Sequence, residues 1–205
     1  MKKSFVVLVM LSLLVLPVLA QTSFGLKGAL SDYSWTGDGW GDVQDYYEFM
    51  YGAEVDNEFS FGFSIGGFIE HKVSSTLAIQ PELLFTLASM QYGDGDDWIR
   101  ETWKMLEIPV YLKGLFPLDQ GSFYIMGGPD LFYLLGDIEI DTSDNNSSSD
   151  DDYDNNLLFG FVISAGYEFQ NGAFLGLKFS RVLTEYYDDT DLFIHGIGIE
   201  GGMKL

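Results

Sequence analysis

Charged side chains alternate with apolar ones in several stretches of this sequence. Within 105–135, Glu107 and Lys113 fall on one face of a two-residue period, whereas Ile108 and Leu112 fall on the other. If this face is turned towards the interior of a fold, its charges must be paired or hydrogen-bonded. They could then form a fixed network of salt bridges or line a path for protons or ions. The same parity over the whole chain predicts an interior charge network: Lys27, Glu82, Glu107, Lys113, Asp130, Lys178 and Glu200, joined by Glu70, Glu168 and Lys204.

The histidines offer little basis for catalysis. His71 and His195 are predicted at opposite ends of the fold, and only His195 has nearby partners, Thr190 and Asp191, that suit lipid hydrolysis at an outer rim. No nucleophile elbow, phosphate loop or zinc constellation is present. The sequence therefore predicts no catalytic residue, no cofactor and no enzyme, with a lipid-directed hydrolase kept as an alternative.

An acidic run at 137–156 contains eight acids and no base. Such runs are typical of solvated loops. The alternate spacing of Asp150, Asp152 and Asp154 suits calcium, but the glycine and distal glutamate of an EF-hand loop are missing. The sequence predicts no metal ligands and leaves calcium binding by this loop open.

The elements that must position these residues are β-strands, because no helical period is long enough to compete. The second candidate places Phe61, Phe63 and Ile65 on one face and Gly62 and Ser64 on the other. Eight such segments are expected, at 23–34, 58–71, 76–90, 102–116, 122–136, 157–169, 173–184 and 192–205. Pro81, Pro109 and Pro129 fall inside them and predict bulges or local bends.

The connections between these strands alternate in length. Long connections are predicted at 35–57, 91–101, 137–156 and 185–191, and short ones at 72–75, 117–121 and 170–172. This alternation is typical of an outer-membrane barrel with short periplasmic turns and long outer loops. The predicted fold is an all-β, eight-stranded antiparallel up-and-down transmembrane β-barrel.

The amino end and the composition agree with export. Residues 1–20 combine Lys2 and Lys3 with an apolar run and Val18-Leu19-Ala20, which predicts a cleaved signal peptide and a barrel domain at 21–205 in the bacterial outer membrane. The chain has no cysteine, and its formal net charge of −21 argues against nucleic acid as a partner.

The first long loop is rich in aromatic residues. Part of this set suits the interfacial girdle of a membrane barrel, but Trp40 and the residues after it lie too far into the loop for that alone. The sequence predicts a candidate partner-binding surface: Trp35, Trp40, Tyr46, Tyr47, Phe49 and Tyr51.

Four segments carry a family resemblance: SFGLKGAL at 23–30, IQPELLF at 79–85, LEIPVYLKGLF at 106–116 and FYIMGGPDLFYLL at 123–135. With them the chain resembles the PorT-like outer-membrane β-barrel family over nearly all of 21–205. The resemblance implies an eight-stranded barrel in the outer membrane. It assigns no activity, since one member is tied to a secretion machinery and most have no assigned role.

The favoured interpretation is a non-enzymatic barrel with a structural or binding role through its outer loops. Expected partners are outer-membrane lipid and another envelope or surface protein. A small channel is the other alternative, although an eight-stranded interior is only wide enough to be filled by side chains.

Overall fold

The computed structural model describes residues 21–51, 55–144, 147–150, 156–184 and 191–205. The predicted signal peptide at 1–20, Asp152, Asp154 and Thr190 lie outside these ranges. The described elements are β1 (Thr22–Thr36), α1 (Asp38–Tyr51), β2 (Asp56–Glu58), β3 (Phe61–Lys72), β4 (Leu77–Gly93), β5 (Trp98–Leu118), β6 (Gly121–Leu134), β7 (Ile138–Thr142), β8 (Ser147–Asp150), β9 (Leu157–Phe169), β10 (Ala173–Val182) and β11 (Phe193–Lys204). Among the described residues, no helix has the length and hydropathy to cross a bilayer.

Eight long strands form a closed ring. The order β1-β3-β4-β5-β6-β9-β10-β11 is antiparallel throughout, and β11 pairs back onto β1 from Gly25↔Lys204 to Thr36↔Phe193. Closure removes both sheet edges, as a membrane-spanning sheet requires. The predicted fold class is confirmed.

The outer connections contain more structure than the sequence indicated. Strand β4 extends to Gly93 and β5 begins at Trp98, so the second outer connection is a four-residue turn, Asp94–Asp97. The first contains α1 and β2, and the third contains the β7–β8 hairpin. The irregular part of these connections is therefore shorter than the predicted ranges 35–57, 91–101 and 137–156. Above a bilayer both faces of a ladder meet water, so the apolar alternation fades while the backbone pairing continues.

The three prolines interrupt the ladder without shifting it. Beside Pro81, the β3–β4 register is the same at Phe68↔Glu82 and at His71↔Ile79. The β4–β5 and β5–β6 registers likewise run unchanged past Pro109 and Pro129. The unchanged register shows that no residue is inserted at these prolines, so the expected bulges are absent from the described strands. An inserted residue would have turned every following side chain to the opposite face.

The interior has two parts of different chemistry. The outer part is an apolar cluster, named here the outer cluster, and the remaining part contains the charges. The outer cluster consists of Tyr33, Trp35, Ala88, Met90, Trp103, Met105, Phe132, Leu134, Ile138, Leu158, Val182, Leu192 and Ile194. Outward positions carry exposed apolar side chains such as Leu26, Leu83, Leu112, Ile163 and Leu177. Apolar-outward alternation is the pattern expected of a lipid-facing surface.

Candidate functional site

The interior charge network contains three groups of ion pairs. The first surrounds Lys27 on β1, whose Nζ lies 2.9 Å from Glu82 Oε2 and 2.7 Å from Glu200 Oε2. Gln80 donates to Glu82 at 2.7 Å, and Tyr124 donates to Glu200 at 3.0 Å. The ammonium and both carboxylates therefore have partners although all three side chains are fully buried.

The second group is a four-membered ring at the inner end. Lys113 Nζ lies 2.7 Å from Glu70 and 3.1 Å from Glu168, and Lys204 Nζ lies 2.6 Å from each of the same two carboxylates. Lys113 also donates to Gln80 at 3.2 Å, which connects this ring to the Lys27 group. Two cations and two anions alternate around the ring, so it is electrically balanced.

The third group lies nearer the outer cluster. Lys178 on β10 forms an ion pair with Glu107 on β5, and Thr86 donates to the second oxygen of Glu107 at 2.8 Å. Asp130 is fully buried on the adjacent strand β6. The ladder pairs Glu107 with Phe132 and Asp130 with Pro109, so Glu107 and Asp130 are diagonal neighbours on the inward face, and their carboxyl groups interact directly across the hairpin.

These groups bring together every residue assigned to the network from the sequence. The uncharged members Gln80, Thr86 and Ser164 were missed, although their inward parity would have indicated them. Large side chains occupy the space between the pairs: Tyr111 and Tyr124 are fully buried, and Lys27 and Lys113 lie within 5.0 Å of their rings. The arrangement can cross-link strands, but it leaves little room for a continuous water path.

The outer cluster closes the other end of the interior. Trp35 and Trp103 contact edge to face, with ring centroids 5.6 Å apart, and Trp40 packs in the same manner on Tyr92. Asn57 exchanges two hydrogen bonds of 3.0 Å with the backbone of Trp35. The base of the first outer connection is therefore anchored to the barrel.

Helix α1 lies above this base and is held at its start and at its middle. Gly39 N donates to the carbonyl of Asp191 at 3.3 Å, and Gln44 Nε2 donates to the carbonyl of Val55 at 2.7 Å. Of its aromatic side chains, Phe49 is 87% exposed and Tyr46 is 55% exposed. The helix therefore presents Phe49 and part of Tyr46 on its outer side.

The predicted partner-binding residues divide into different environments. Trp35 belongs to the outer cluster and is 4% exposed, so its inclusion in a contact surface is corrected: it supports the loop from below. Trp40 is half-buried on that cluster, whereas Tyr46 and Phe49 are exposed. The side chains of Tyr47 and Tyr51 lie outside the described part of the structure.

The hydrolase alternative has no assembled site in the described residues. His195 faces outward from β11 and stacks on Phe179, with ring centroids 6.5 Å apart, and it forms no side-chain hydrogen bond with a described serine or aspartate. His71, at the other end of the barrel, pairs with Thr22 at 3.0 Å. No cluster of three acidic or histidine side chains able to hold a metal occurs within the described ranges.

Comparison with known families identifies the class of protein. Residues 41–187 match the family described as outer membrane protein beta-barrel domain. The chain belongs to this family. It is an outer-membrane β-barrel protein, as its closed ring of strands and its lipid-facing alternation require. No curated protein matches it significantly.

Two solved outer-membrane proteins illustrate the likeness in shape. Ail, the attachment invasion locus protein of Yersinia pestis, solved with the heparin analogue sucrose octasulfate, has 10% identity, covers 90% of this chain and 99% of its own, and has a TM-score of 0.46. Neisserial surface protein A has 8% identity over 90% of this chain and 99% of its own, with a TM-score of 0.49. At these identities and TM-scores, neither likeness bears on what this chain binds.

Proposed function

We propose that this protein is a non-enzymatic outer-membrane barrel whose outer surface binds a positively charged protein or peptide. The observation that carries the proposal is helix α1, which is anchored to a filled barrel and presents exposed aromatic side chains among carboxylates. Its sequence contains Asp38, Asp42, Asp45 and Glu48 and no basic residue.

The aromatic side chains supply the adhesive part of such a surface. Phe49 and Tyr46 are large and exposed, and aromatic residues dominate the energetics of many protein interfaces. Trp40 of the helix packs on Tyr92, and the paired Trp35 and Trp103 lie in the cluster beneath it. Anchors held in place lose less conformational entropy on binding than anchors on a mobile loop.

The surrounding charge supplies selectivity. The β4–β5 turn adds Asp94, Asp96 and Asp97, all exposed. Clustered charge of one sign attracts partners of the other sign and raises their association rate, with a strong dependence on salt. A basic partner with apolar side chains fits this surface better than an acidic one.

The alternatives receive less support. A channel would need an open interior, whereas Tyr111, Tyr124 and Met126 fill the barrel between the ion pairs. A hydrolase would need a partner for His195. The PorT-like resemblance and the cleaved leader at 1–20 remain part of the proposal, and involvement in a secretion machinery is not carried over from the family.

Binding of a labelled peptide built from lysine and leucine tests the proposal. The full barrel is reconstituted in phosphatidylcholine vesicles, and the peptide is titrated at low and high salt. We expect binding above that of protein-free vesicles, weakened by salt. Phe49→Ser should weaken it roughly tenfold, the effect of losing an aromatic anchor.

A charge-matched control distinguishes a local site from general attraction. The triple variant Asp42→Asn, Asp45→Asn, Glu48→Gln should lose more affinity than Asp137→Asn, Asp141→Asn, Asp144→Asn, which removes the same charge from the third outer connection. Equal losses in the two variants, with no effect of Phe49→Ser, would refute the site on α1.

A further inference from the structure

We propose that the outward face of β10, β11 and β1 binds an anionic lipid of the outer leaflet. Arg181 and His195 would hold the lipid phosphate, and an acyl chain would lie in a groove floored by Gly28 and Gly201. This site is independent of the surface on α1, since it lies on the wall of the barrel rather than above it.

A polar row crosses the three strands on their outer side. Arg181 on β10 is the ladder partner of His195 on β11, and His195 is the partner of Ser34 on β1. Ladder partners lie on the same face, about 4.5–5.5 Å apart at their Cβ atoms. Guanidinium, imidazole and hydroxyl donors in one row are the groups that bind phosphate oxygens.

The row lies near the outer end of the apolar band, with only Leu183 and Phe193 facing outward beyond it at the ends of the same two strands. Outward positions below it on β10 are Leu175, Leu177 and Phe179, and the β11 positions between Met203 and His195 are Gly201, Ile199 and Ile197. From Met203 to His195 the strand is about 26 Å long, and a tilt of roughly 40° reduces this to a height of about 20 Å, most of the ~25 Å apolar band of a barrel. The polar row therefore lies close to the level of the outer headgroups.

Arg181 lacks a carboxylate partner among the described residues. Its guanidinium lies 5.8 Å from the ring centre of Phe193. By contrast, Lys104, which also faces outward, is 2.5 Å from Glu139. Asp32 lies on the same face as His195, but its Oδ1 accepts the backbone N–H of Ser60 at 2.9 Å and so holds the start of β3. The guanidinium is left with an aromatic neighbour and an open side, which suits an anion from the bilayer.

The groove lies below this row. Gly28 and Gly201 are ladder partners with outward positions, so no side chain fills the space above them. The walls are apolar, and the groove has a volume of about 420 Å³. Its lining includes Leu30, Phe63, Ile65, Leu175 and Ile199. From Gly201 to His195 the strand rises about 20 Å, a length comparable to a fatty acyl chain.

Lipid retention by the purified barrel tests the site. The protein is delipidated in a neutral detergent, titrated with dipalmitoyl phosphatidylglycerol or phosphatidylcholine, and examined by native mass spectrometry. We expect one phosphatidylglycerol to be retained in preference to phosphatidylcholine. Arg181→Gln should reduce that retention about fivefold, the effect of one cation at a membrane surface, and Lys104→Gln should not.

The groove has its own matched pair of variants. A Cβ on Gly28 would meet no atom closer than 3.5 Å, and a Cβ on Gly114, an outward glycine on the distant strand β5, none closer than 3.6 Å. Both positions should therefore accept leucine. Gly28→Leu should weaken retention of the long-chain lipid, whereas Gly114→Leu should leave it unchanged.

Two results would overturn the proposal. One is equal retention of phosphatidylglycerol and phosphatidylcholine by the wild-type protein. The other is an equal loss of phosphatidylglycerol retention in Arg181→Gln and Lys104→Gln, which would show that the preference comes from general electrostatics. Competition with glycerol phosphate distinguishes a lipid headgroup from a free phosphate as the bound anion. If glycerol phosphate displaces the lipid at equal concentration, the acyl chain contributes nothing to binding, and a lipid site is excluded.

Discussion

Lys27 and Glu200 form an ion pair across the seam where the first and last strands of the barrel meet. Lys27 Nζ lies 2.7 Å from Glu200 Oε2, and both side chains are fully buried. The same ammonium contacts Glu82 at 2.9 Å, which lies two strands further around the ring. A single cation therefore cross-links β1, β4 and β11 and bridges the seam of the barrel.

Removing that cation should destabilise the barrel. Lys27→Met leaves two buried carboxylates without a counter-charge, and breaking a buried pair in this way costs about 3–5 kcal/mol of unfolding free energy. Urea unfolding in lipid vesicles, followed by tryptophan fluorescence, measures the loss. The triple variant Lys27→Met, Glu82→Gln, Glu200→Gln removes the uncompensated charges and should recover much of it. A Lys27→Met protein as stable as wild type would show that the pair does not hold the seam.

The wild-type barrel should show no steady conductance in planar bilayers. The outer cluster is apolar and closed, and the ion pairs below it are bound to one another rather than to a path. Lys113→Met should therefore lower stability by leaving Glu70 and Glu168 with only Lys204, without opening a pore. A stable ion-selective channel in wild type, with its selectivity reversed by Lys113→Glu, would contradict this prediction.

The partner of Lys113 was among the details that sequence could not supply. Parity placed ten charged residues on the inward face, but parity says nothing about which charges meet across the lumen. Parity placed Glu82 on the same inward face as Lys113, yet the structure pairs Lys113 with Glu70 and Glu168. Such pairings depend on strand tilt and stagger around the whole ring, which no single strand's sequence encodes.

The lipid face, in contrast, could be anticipated from the two-residue period alone. Ile163 and Ser164 are adjacent in sequence and so fall on opposite faces, and they are 49% and 1% exposed. The two-residue period did not reveal the structure of the outer connections. There the alternation of apolar and polar residues is lost, so neither α1 nor the β7–β8 hairpin was predicted. Arg181 was overlooked because a lone cation at a strand end resembles a loop residue until the register of β10 and β11 is known.

A charge at the middle of the lipid face should carry a depth-dependent cost. Ile163→Arg should lower the unfolding free energy by about 2–4 kcal/mol if the site lies near the midplane. Phe169, on the same face at the end of β9 and 48% exposed, is the control, and Phe169→Arg should cost about 0–1 kcal/mol. Equilibrium unfolding by guanidinium in vesicles of dilauroyl phosphatidylcholine gives both values. Equal costs at the two positions would mean that β9 does not cross the bilayer as described.

The two ends of the barrel should differ in their access to reagents outside the cell. The chain has no cysteine, so a single introduced thiol reports its own position unambiguously. Asp96, in the β4–β5 turn, and Asp144, between β7 and β8, are exposed on the side of α1, whereas Asp119 lies in the β5–β6 turn at the opposite end. Cysteines at the first two positions should react with an impermeant maleimide on intact cells.

A cysteine at Asp119 should react only after the outer membrane is permeabilised, which also serves as the control that the thiol is accessible. This result follows from the closed ring. Strand β5 crosses the membrane between the β4–β5 turn and the β5–β6 turn, so these two turns must lie on opposite sides of the membrane. Labelling of all three positions on intact cells would contradict the crossing of β5, and labelling of Asp119 alone would invert the orientation of the barrel and place α1 in the periplasm.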